Sequence, residues 1–401
     1  MKILLMDVNC KNGSTGKLIY DLYNQINKNG DEAYIAYGRG KLIKEKNIFR
    51  ISTKIEVYIH ALLTRITGLT GTFSFFSTRK AIRLIKKIQP DVVHLNDMHG
   101  YFINIITLIK FLKQSNIRTI WTFHCEFMYT GKCGHSYECE KWKTECGKCP
   151  HLKDYPKSLF FDFTKKMFND KKKVFENFNN LIITAPSQWL VNRINQSFFK
   201  KYPIKVVHNG IDTKIFHYES NNLIHNKYDI PDNMKIVITV APRLMNEEKG
   251  GKYFLEVAKR LRNEKIKFIM IGIENEFFVE SENIIQVQMT KDLRLLSNFY
   301  SSADLFILCS KKETFSLTCA ESLCCGTPIV GFKCGAPETI FTNSYNLFID
   351  YGNVDNLVSA IVEKLNCNIN KKEISMENIT KFSVENMYVS YYNIFKGKIY
   401  D

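Results

Sequence analysis

Apolar runs alternate with amphipathic segments along most of the chain. The run "KILLMDV" at 2–8 predicts a buried strand, and the segment after it places Leu18, Leu22 and Ile26 at helical spacing. The same alternation of a short apolar run and a helical segment returns several times on either side of residue 208. Such a pattern is typical of α/β proteins with mostly parallel sheets.

The alternation begins afresh after "KVVHNGIDTKIF" at 205–216, and 401 residues are enough for two hydrophobic cores. We therefore expect an α/β protein with two Rossmann-like, doubly wound domains. The first would span 1–208 and carry a cysteine-rich insertion at 131–150. The second would span 209–383, and a C-terminal helix within 384–401 would pack back on the first.

Polar side chains come at or near the end of several predicted strands. His94, Asn96, His124 and Ser187 all occupy such positions. Ligands of open α/β sheets bind outside the carboxyl ends of the strands. These residues are therefore candidates for ligand contact, although a lone histidine at a strand end is more often structural.

Two cations and two carboxylates form a second set of candidates. Arg243 ends an apolar run and Lys249 begins the next helix, so that together with helix amides they could bind a diphosphate. Glu313 lies in a turn before a helix, and Glu321 lies inside that helix, where a carboxylate can accept both hydroxyls of a ribose. Ser316 or Thr318 could cap this helix, and in the alternative interpretation Thr318 is the cap and Glu321 reaches back in a capping box.

The segment "ETFSLTCAESLCCGTPIVGFKCGAPETI" at 313–340 resembles the signature region of family 4 retaining glycosyltransferases, which have the GT-B fold. Two glutamates lie eight residues apart in that signature, as Glu313 and Glu321 do here. Thr314 and Ser316 stand where glycines are common in the family. The resemblance covers nearly the whole chain and implies two Rossmann-like domains facing a cleft.

The resemblance also implies roles for residues of the second half. Glu321 would hold the ribose of a UDP- or GDP-sugar, Glu313 would contact the donor sugar, and Arg243 and Lys249 would bind the pyrophosphate. No catalytic metal is expected, because these cations neutralise the leaving group. Three further residues would line the donor site, namely Ser316, Leu317 and Glu338.

In the first half, the loop "NCKNGSTGKL" at 9–18 is not a phosphate-binding P-loop, because Lys17 is followed by leucine. It resembles the glycine-bearing loop of the family's acceptor domain, where Gly13 and Gly16 would allow close backbone approach to a ligand. An ordinary strand-to-helix turn is the alternative. His124 matches a position of the family that is occupied by a histidine, which contacts the donor sugar there.

Cys125 and Glu126 follow His124, where the family commonly has an aspartate, so the match at this position is incomplete. His94 and Asn96 are weaker candidates, for contact with the acceptor.

Four of the twelve cysteines cluster in the insertion: Cys133, Cys139, Cys146 and Cys149. The chain shows no export signal, so a disulfide framework is not expected, and this spacing suits a structural zinc ion. An iron–sulfur cluster, a redox pair of Cys146 and Cys149, or four free thiols are alternatives. A similar insertion appears in bacterial family 4 enzymes of surface-polysaccharide synthesis, which implies a structural role.

The basic excess is confined to the first half. Residues 1–210 carry 34 Lys or Arg against 16 Asp or Glu, whereas the rest carries 22 against 24. Such an excess suggests an anionic partner, and the basic amphipathic segments at 78–88 and 163–178 could lie on an anionic membrane. Equally, both could be ordinary helices with their apolar sides in the core, and genomic compositional bias could explain the lysines.

The sequence lacks an apolar run of the ~20 residues that a membrane span needs, so we expect a cytoplasmic protein, either free or peripheral on the inner face of the cytoplasmic membrane. The leading hypothesis is a retaining glycosyltransferase that moves a sugar to a saccharide or lipid-linked saccharide in capsule, O-antigen or exopolysaccharide synthesis. A UDP-amino-sugar epimerase of the same fold is one alternative. The other is a basic, zinc-containing nucleic-acid-binding protein, which is disfavoured because no recognition module is visible.

Overall fold

The computed structural model describes residues 1–274 and 279–398. The chain divides into two compact units, one made of residues 1–208 and 387–401 and the other of residues 209–386. Residues 399–401, the end of the segment that we expect to pack on the first domain, lie outside the described ranges.

The first unit is built on a parallel sheet in the order β3-β2-β1-β4-β5-β6-β7. Its strands are β1 (Lys2–Asp7), β2 (Glu32–Tyr37), β3 (Ile48–Arg50), β4 (Val92–Leu95), β5 (Arg118–Thr122), β6 (Leu181–Ala185) and β7 (Ile204–Val206). Its helices are α1 (Ser14–Lys28), α2 (Lys54–Thr67), α3 (Phe75–Ile88), α4 (Ile105–Ser115), α5 (Thr164–Phe175) and α6 (Gln188–Ile194), with a 3₁₀ turn at Lys141–Lys143.

The second unit has a parallel sheet in the order β10-β9-β8-β11-β12-β13. Its strands are β8 (Lys235–Val240), β9 (Ile266–Ile273), β10 (Ile284–Gln288), β11 (Leu305–Leu308), β12 (Ile329–Phe332) and β13 (Leu347–Ile349). Its helices are α7 (Leu223–Lys227), α8 (Gly251–Arg260), α9 (Leu293–Ser302), α10 (Leu317–Cys324), α11 (Pro337–Ile340), α12 (Val354–Leu365) and α13 (Lys371–Phe382). The last helix, α14 (Val384–Phe395), carries the chain into the first unit.

Both sheets have the doubly wound order, in which the chain starts near the middle and returns to add strands on the other side. The central strands β1, β4, β8 and β11 are apolar and almost entirely buried, because helices cover both faces of a parallel sheet. The expected α/β architecture with two such sheets is therefore confirmed.

The end of α14 packs on the sheet of the first unit. The Tyr391 hydroxyl lies 2.9 Å from the Thr122 hydroxyl, and its ring centre is 4.6 Å from that of His94. The Arg118 guanidinium donates to the Phe395 carbonyl at 2.6 Å. The carboxyl-terminal helix thus contributes buried side chains to the core of the first unit.

The apolar sides of the two basic helices are buried. In α3 the buried residues include Ile85 and Ile88, and in α5 they include Met167, Phe168 and Phe175. The ordinary interpretation of the segments at 78–88 and 163–178 is therefore correct, since their apolar faces belong to the core. None of the helices in the described residues has the length and the apolar run that a membrane crossing requires.

Helix α2, which the sequence pattern does not predict, turns polar residues inward. Its buried residues are His60 and Thr64. The two ring nitrogens of His60 bond to the Ser74 hydroxyl, at 2.6 Å, and to the Gly71 amide, at 3.1 Å. Because the amide can only donate, Nε2 accepts and Nδ1 carries the proton. Burial lowers the pKa of His60 to about 4, so the ring is neutral at pH 7.

We predict that acidification destabilises the fold through His60. An unfolded histidine titrates near pH 6.5, so protons favour the unfolded chain as the pH falls from 6.5 towards 4. The pKa of about 4 corresponds to about 2 kcal/mol lost by pH 5. Melting curves at pH 7 and pH 5 should show a smaller decrease for His60→Gln than for the wild type. Equal decreases would contradict the assignment of His60 as a buried neutral ring.

Candidate functional site

The carboxyl ends of β8 and β11 bring two of the predicted site residues together. These strands are neighbours in the sheet, with Phe306 opposite Ile238. The loop after β8 carries Lys249, and the loop after β11 carries Glu313. The Lys249 ammonium donates to Glu313 Oε1 at 2.8 Å, and the two side chains are 31% and 19% exposed. The Glu313 carboxylate raises the pKa of Lys249, which therefore stays protonated.

Gly250 allows the loop that carries Lys249 to lie close to the loop that carries Glu313. Gly250, the N-cap of α8, has φ +71°. A Cβ at this position would lie 2.1 Å from the Cys309 carbonyl oxygen, which is a severe clash. Only glycine allows the start of α8 to lie against the loop after β11.

The Glu313 loop is held by backbone hydrogen bonds. The Glu313 amide donates to the Cys334 carbonyl at 2.9 Å, and the Ala336 amide donates to the Glu313 carbonyl at 3.0 Å. The Glu338 carboxylate accepts from the amides of Cys334 and Gly335 at 2.9 to 3.1 Å. In this structure Glu338, predicted to line the donor site, organises the turn that supports Glu313.

Glu321 lies on α10, which begins directly after this loop. The N-cap is Ser316, whose hydroxyl accepts from the Cys319 amide at 3.4 Å, and not Thr318. The capping-box interpretation with Thr318 as cap is therefore wrong. Glu321 is half-buried and accepts a hydrogen bond from the Tyr300 hydroxyl at 3.3 Å.

Two features at the start of α10 are typical of binding sites. Ser316 has φ +74°, a strained value for a residue with a side chain, and such strain clusters at functional positions. Leu317, the first helical residue, is half-exposed. The first amides of a helix attract anions.

Arg243 lies in the same loop as Lys249 but on the surface. It is 74% exposed, has φ +54°, and its guanidinium is 3.7 Å from the Glu274 carboxylate. Its exposed side chain leaves it available to an anionic ligand.

In the first unit, Asp7 organises the carboxyl ends of β1 and β4. One of its oxygens accepts from the Asp97 amide at 2.8 Å, and the other from the Asn9 amide and the Thr15 hydroxyl at 3.0 and 3.1 Å. Burial, with a smaller contribution from Asp97, raises the pKa of Asp7 to about 7.

The predicted glycines lie in the loop after β1 and in the first turn of α1. Gly13 has φ +73°, and a Cβ on Gly16 would lie 3.1 Å from the Asn9 side chain. The positive φ of Gly13 and the close approach of Gly16 to Asn9 fit an ordinary strand-to-helix turn, and contact of these glycines with a ligand stays a prediction.

His124 follows β5 and is half-buried. Its Nε2 lies 3.1 Å from Asn96 Oδ1, and burial lowers its pKa to about 4. His94, inside β4, is fully buried against Tyr391, and Ser187 is the N-cap of α6. The contacts of His94 and Ser187 favour structural roles.

A polar cluster that sequence reasoning missed lies beside His124. Asp97, His99 and Cys125 are the one trio of metal-capable side chains in the described residues whose donor atoms all lie within 4.8 Å of one another. His99 Nδ1 is 2.6 Å from Asp97 Oδ1. The motif "NDMHG" at 96–100, directly after a buried strand, was the available signal.

The four cysteines of the insertion line one cavity of about 20 Å³. The Gly131 amide donates to Cys146 Sγ at 3.1 Å. No three of the four sulfurs lie within 4.8 Å of one another. Tetrahedral zinc with Zn–S bonds of about 2.3 Å needs sulfurs about 3.8 Å apart. The thiols surround a common space but would have to move inward to bind an ion.

A buried ion pair fastens the insertion to α6. Arg193 Nε donates to Glu126 Oε1 at 2.6 Å, and Glu126 is fully buried. The Tyr129 hydroxyl and the Ser136 amide also donate to this carboxylate, at 2.8 and 2.6 Å. Glu126 is therefore committed to the fold of the insertion, although it follows the predicted site histidine by only two residues.

Two family models match the chain. The model described as Glycosyltransferase Family 4 matches residues 15–215, and the model described as Glycosyl transferases group 1 matches residues 220–381. A protein of Escherichia coli (strain K12) named as a colanic acid biosynthesis glycosyl transferase, WcaC, is 23% identical over 366 residues, which is 86% of each chain.

Solved structures share the fold. Sucrose-phosphate synthase from Thermosynechococcus elongatus superposes with a TM-score of 0.70 at 13% identity, over 99% of this chain and 98% of that one. HepE of Anabaena in complex with UDP-glucose gives 0.67 at 11% identity, over 99% and 100%. The GT-B fold is thereby confirmed. With one family model covering half of its residues, the chain belongs to glycosyltransferase family 4.

Proposed function

We propose that the protein transfers a sugar from a UDP- or GDP-sugar to a saccharide acceptor with retention of anomeric configuration. The observation that carries this proposal is the Lys249–Glu313 pair at the carboxyl ends of β8 and β11, with Glu321 on the helix that follows. A cation beside a carboxylate suits a ligand that joins a diphosphate to a polyhydroxylated sugar.

Each residue of the second unit has a distinct task in this proposal. Lys249 and Arg243 bind the pyrophosphate, Glu321 accepts the ribose hydroxyls, and Glu313 accepts sugar hydroxyls. The amide of Leu317, beside Ser316, contributes to the phosphate site at the start of α10.

The proposed reaction is a displacement on one face of the sugar. The bond between the anomeric carbon and the diphosphate oxygen breaks, and the acceptor hydroxyl attacks from the side of the leaving group. Its proton passes to the departing phosphate oxygen. Lys249 and Arg243 stabilise the developing negative charge on the diphosphate, so that no catalytic metal is needed.

On the acceptor side we propose contacts through His124 and Asn96, with the neutral imidazole of His124 serving as a hydrogen-bonding group. The name of the Escherichia coli relative supports a surface polysaccharide as the product. Such chains grow on lipid carriers in our proposal, which places the enzyme at the cytoplasmic face of the membrane.

We also propose that Cys133, Cys139, Cys146 and Cys149 bind a structural zinc ion. The shared cavity and the amide donated to Cys146 support this, because amide donors commonly stabilise metal-bound thiolates. Zinc would hold the insertion together and take no part in transfer.

Substitution of Glu321 should impair nucleotide binding, whereas substitution of Glu313 should impair sugar transfer. Glu321→Ala should weaken the binding of UDP or GDP and of the sugar nucleotide alike, by about 10-fold or more, because the ribose loses a charged acceptor. Glu313→Ala should spare the bare nucleotide and lower transfer by about 100-fold or more. Calorimetric titration and product assays with and without acceptor provide the two measurements. Small, equal effects of both variants, or conversion of the sugar nucleotide without acceptor, would contradict the proposal.

Lys249 and Arg243 should contribute to the binding of the diphosphate group and not to the binding of the nucleoside. Lys249→Met and Arg243→Gln should each weaken nucleoside diphosphate binding by about 10-fold or more and leave the weaker binding of the nucleoside unchanged. Lys252→Met is the matched control, since this exposed lysine lies three residues further along, on α8. An equal loss in the control would show that only general charge matters.

Metal analysis of the purified full chain tests the zinc proposal. We expect about one zinc ion per chain, and its loss in Cys146→Ser. Cys367→Ser, which changes an exposed cysteine of the second unit, is the control and should retain the metal. Iron in place of zinc, or no metal in a folded wild-type chain, would overturn the proposal.

A further inference from the structure

Helix α2 presents its apolar residues to solvent. Ile55, Tyr58, Ile59 and Leu62 lie at the spacing that places side chains on one face of a helix. Each of them is more than half exposed. A surface helix normally turns such a stripe towards the core, so α2 is inverted.

Polar contacts fix the inverted orientation. His60 is held between Ser74 and Gly71, and the Thr64 hydroxyl donates to the Leu69 carbonyl at 2.8 Å. Rotation of α2 to bury the apolar stripe would break these bonds and would also pull Val57 away from the core of the first unit, against which it packs. The exposed stripe is therefore a stable feature of the fold.

The apolar surface continues beyond both ends of α2. At its start, the Glu56 carboxylate accepts from the Phe76 amide at 2.9 Å, which places exposed Phe75 and Phe76 next to the first turn. At its end, the Leu159 amide donates to the Arg65 carbonyl at 2.8 Å. This bond brings an exposed apolar segment to the last turn.

We call these nine side chains together the α2 surface, and each is more than half exposed. They are Ile55, Tyr58, Ile59, Leu62, Phe75, Phe76, Leu159, Phe160 and Phe161. Monomeric soluble proteins rarely expose so many neighbouring apolar side chains unless the surface binds a partner.

The charges around the α2 surface are mostly positive. Residues 54–67, 75–88 and 153–166 hold eleven Lys or Arg and three Asp or Glu. All three acids already have partners, and Asp154 lies 2.9 Å from His151 Nδ1. Glu56 accepts from α3 amides, and Asp162 accepts from the amides of Cys149 and Thr164.

We propose that the α2 surface inserts into the headgroup region of an anionic lipid bilayer. Apolar side chains on one side of a helix, bordered by lysine and arginine, are the chemistry that interfacial binding requires. A second copy of the chain fits less well, because its equally basic border would face this one. The inference extends the proposed function, in which the acceptor is lipid-linked, and rests on it for its biological meaning only.

Vesicle sedimentation tests the inference with the full chain. Vesicles of phosphatidylcholine and phosphatidylglycerol in equal amounts should bind the wild type, and added salt or pure phosphatidylcholine should weaken binding. The double variant Ile59→Glu, Phe160→Glu should lower the partition coefficient by about 30-fold or more, because two buried apolar groups become charged. Met376→Glu, at a 63% exposed methionine of α13, should bind as the wild type does.

All three proteins should melt at the same temperature and bind nucleotide equally. Absence of wild-type binding to anionic vesicles, or equal binding by the double variant, would overturn the inference. So would a dimer in solution that the double variant dissociates, since a second copy would then cover the surface. If the wild type binds nucleotide but not anionic vesicles, only the inference about the α2 surface fails. If the wild type binds no nucleotide, the proposed function fails instead.

Discussion

The parallel alignment of neighbouring strands is the constraint on which the candidate site depends. Because β8 and β11 run side by side in one direction, the loops that follow them begin at the same edge of the sheet. Lys249 and Glu313 are 64 residues apart in sequence, yet their side chains meet at 2.8 Å. The meeting further requires Gly250, where any side chain would collide with the Cys309 carbonyl. A change to this glycine would displace the cation without touching a charged residue.

The sequence pattern was sufficient for the architecture, since the inner strands of both sheets are short apolar runs. It did not predict helix α2 or the edge strands β3, β7, β10 and β13. It places Lys249 and Glu313 after strands of the second half, and the structure brings the two side chains together, while their roles stay predictions. It failed where distant contacts decide the outcome. Both Ser316 and Thr318 are candidates for the cap of α10 from the sequence, which does not decide between them, and in the structure the cap is Ser316, at φ +74°. Periodicity likewise identifies a stripe on a helix but not the direction in which it faces.

The predicted first-unit residues illustrate the same limit. His94 and His124 both lie at the end of an apolar run, and the hydrophobic pattern alone does not distinguish them. In the structure His94 packs against Tyr391 of α14, almost three hundred residues later, whereas His124 is half-buried, with its Nε2 3.1 Å from Asn96 Oδ1. From the sequence alone, Glu126 is a candidate catalytic carboxylate because it lies two residues after His124. In the structure it is paired with Arg193. Tertiary partners, rather than residue type, separate the structural groups from the available ones.

The two proposals together account for the position of the basic excess in the first half of the chain. A donor nucleotide is anionic, yet the second half, which carries Lys249 and Arg243, has no basic excess, because a diphosphate needs only a few well-placed cations. The excess lies in the first half, where the inverted helix α2 exposes its apolar stripe. Long-range attraction by many weakly placed lysines suits an extended anionic surface, which one pair of cations could not hold. In the proposed contact with a bilayer, the buried, neutral His60 has a positioning role, because its bonds to Ser74 and Gly71 hold α2 with the stripe facing outward.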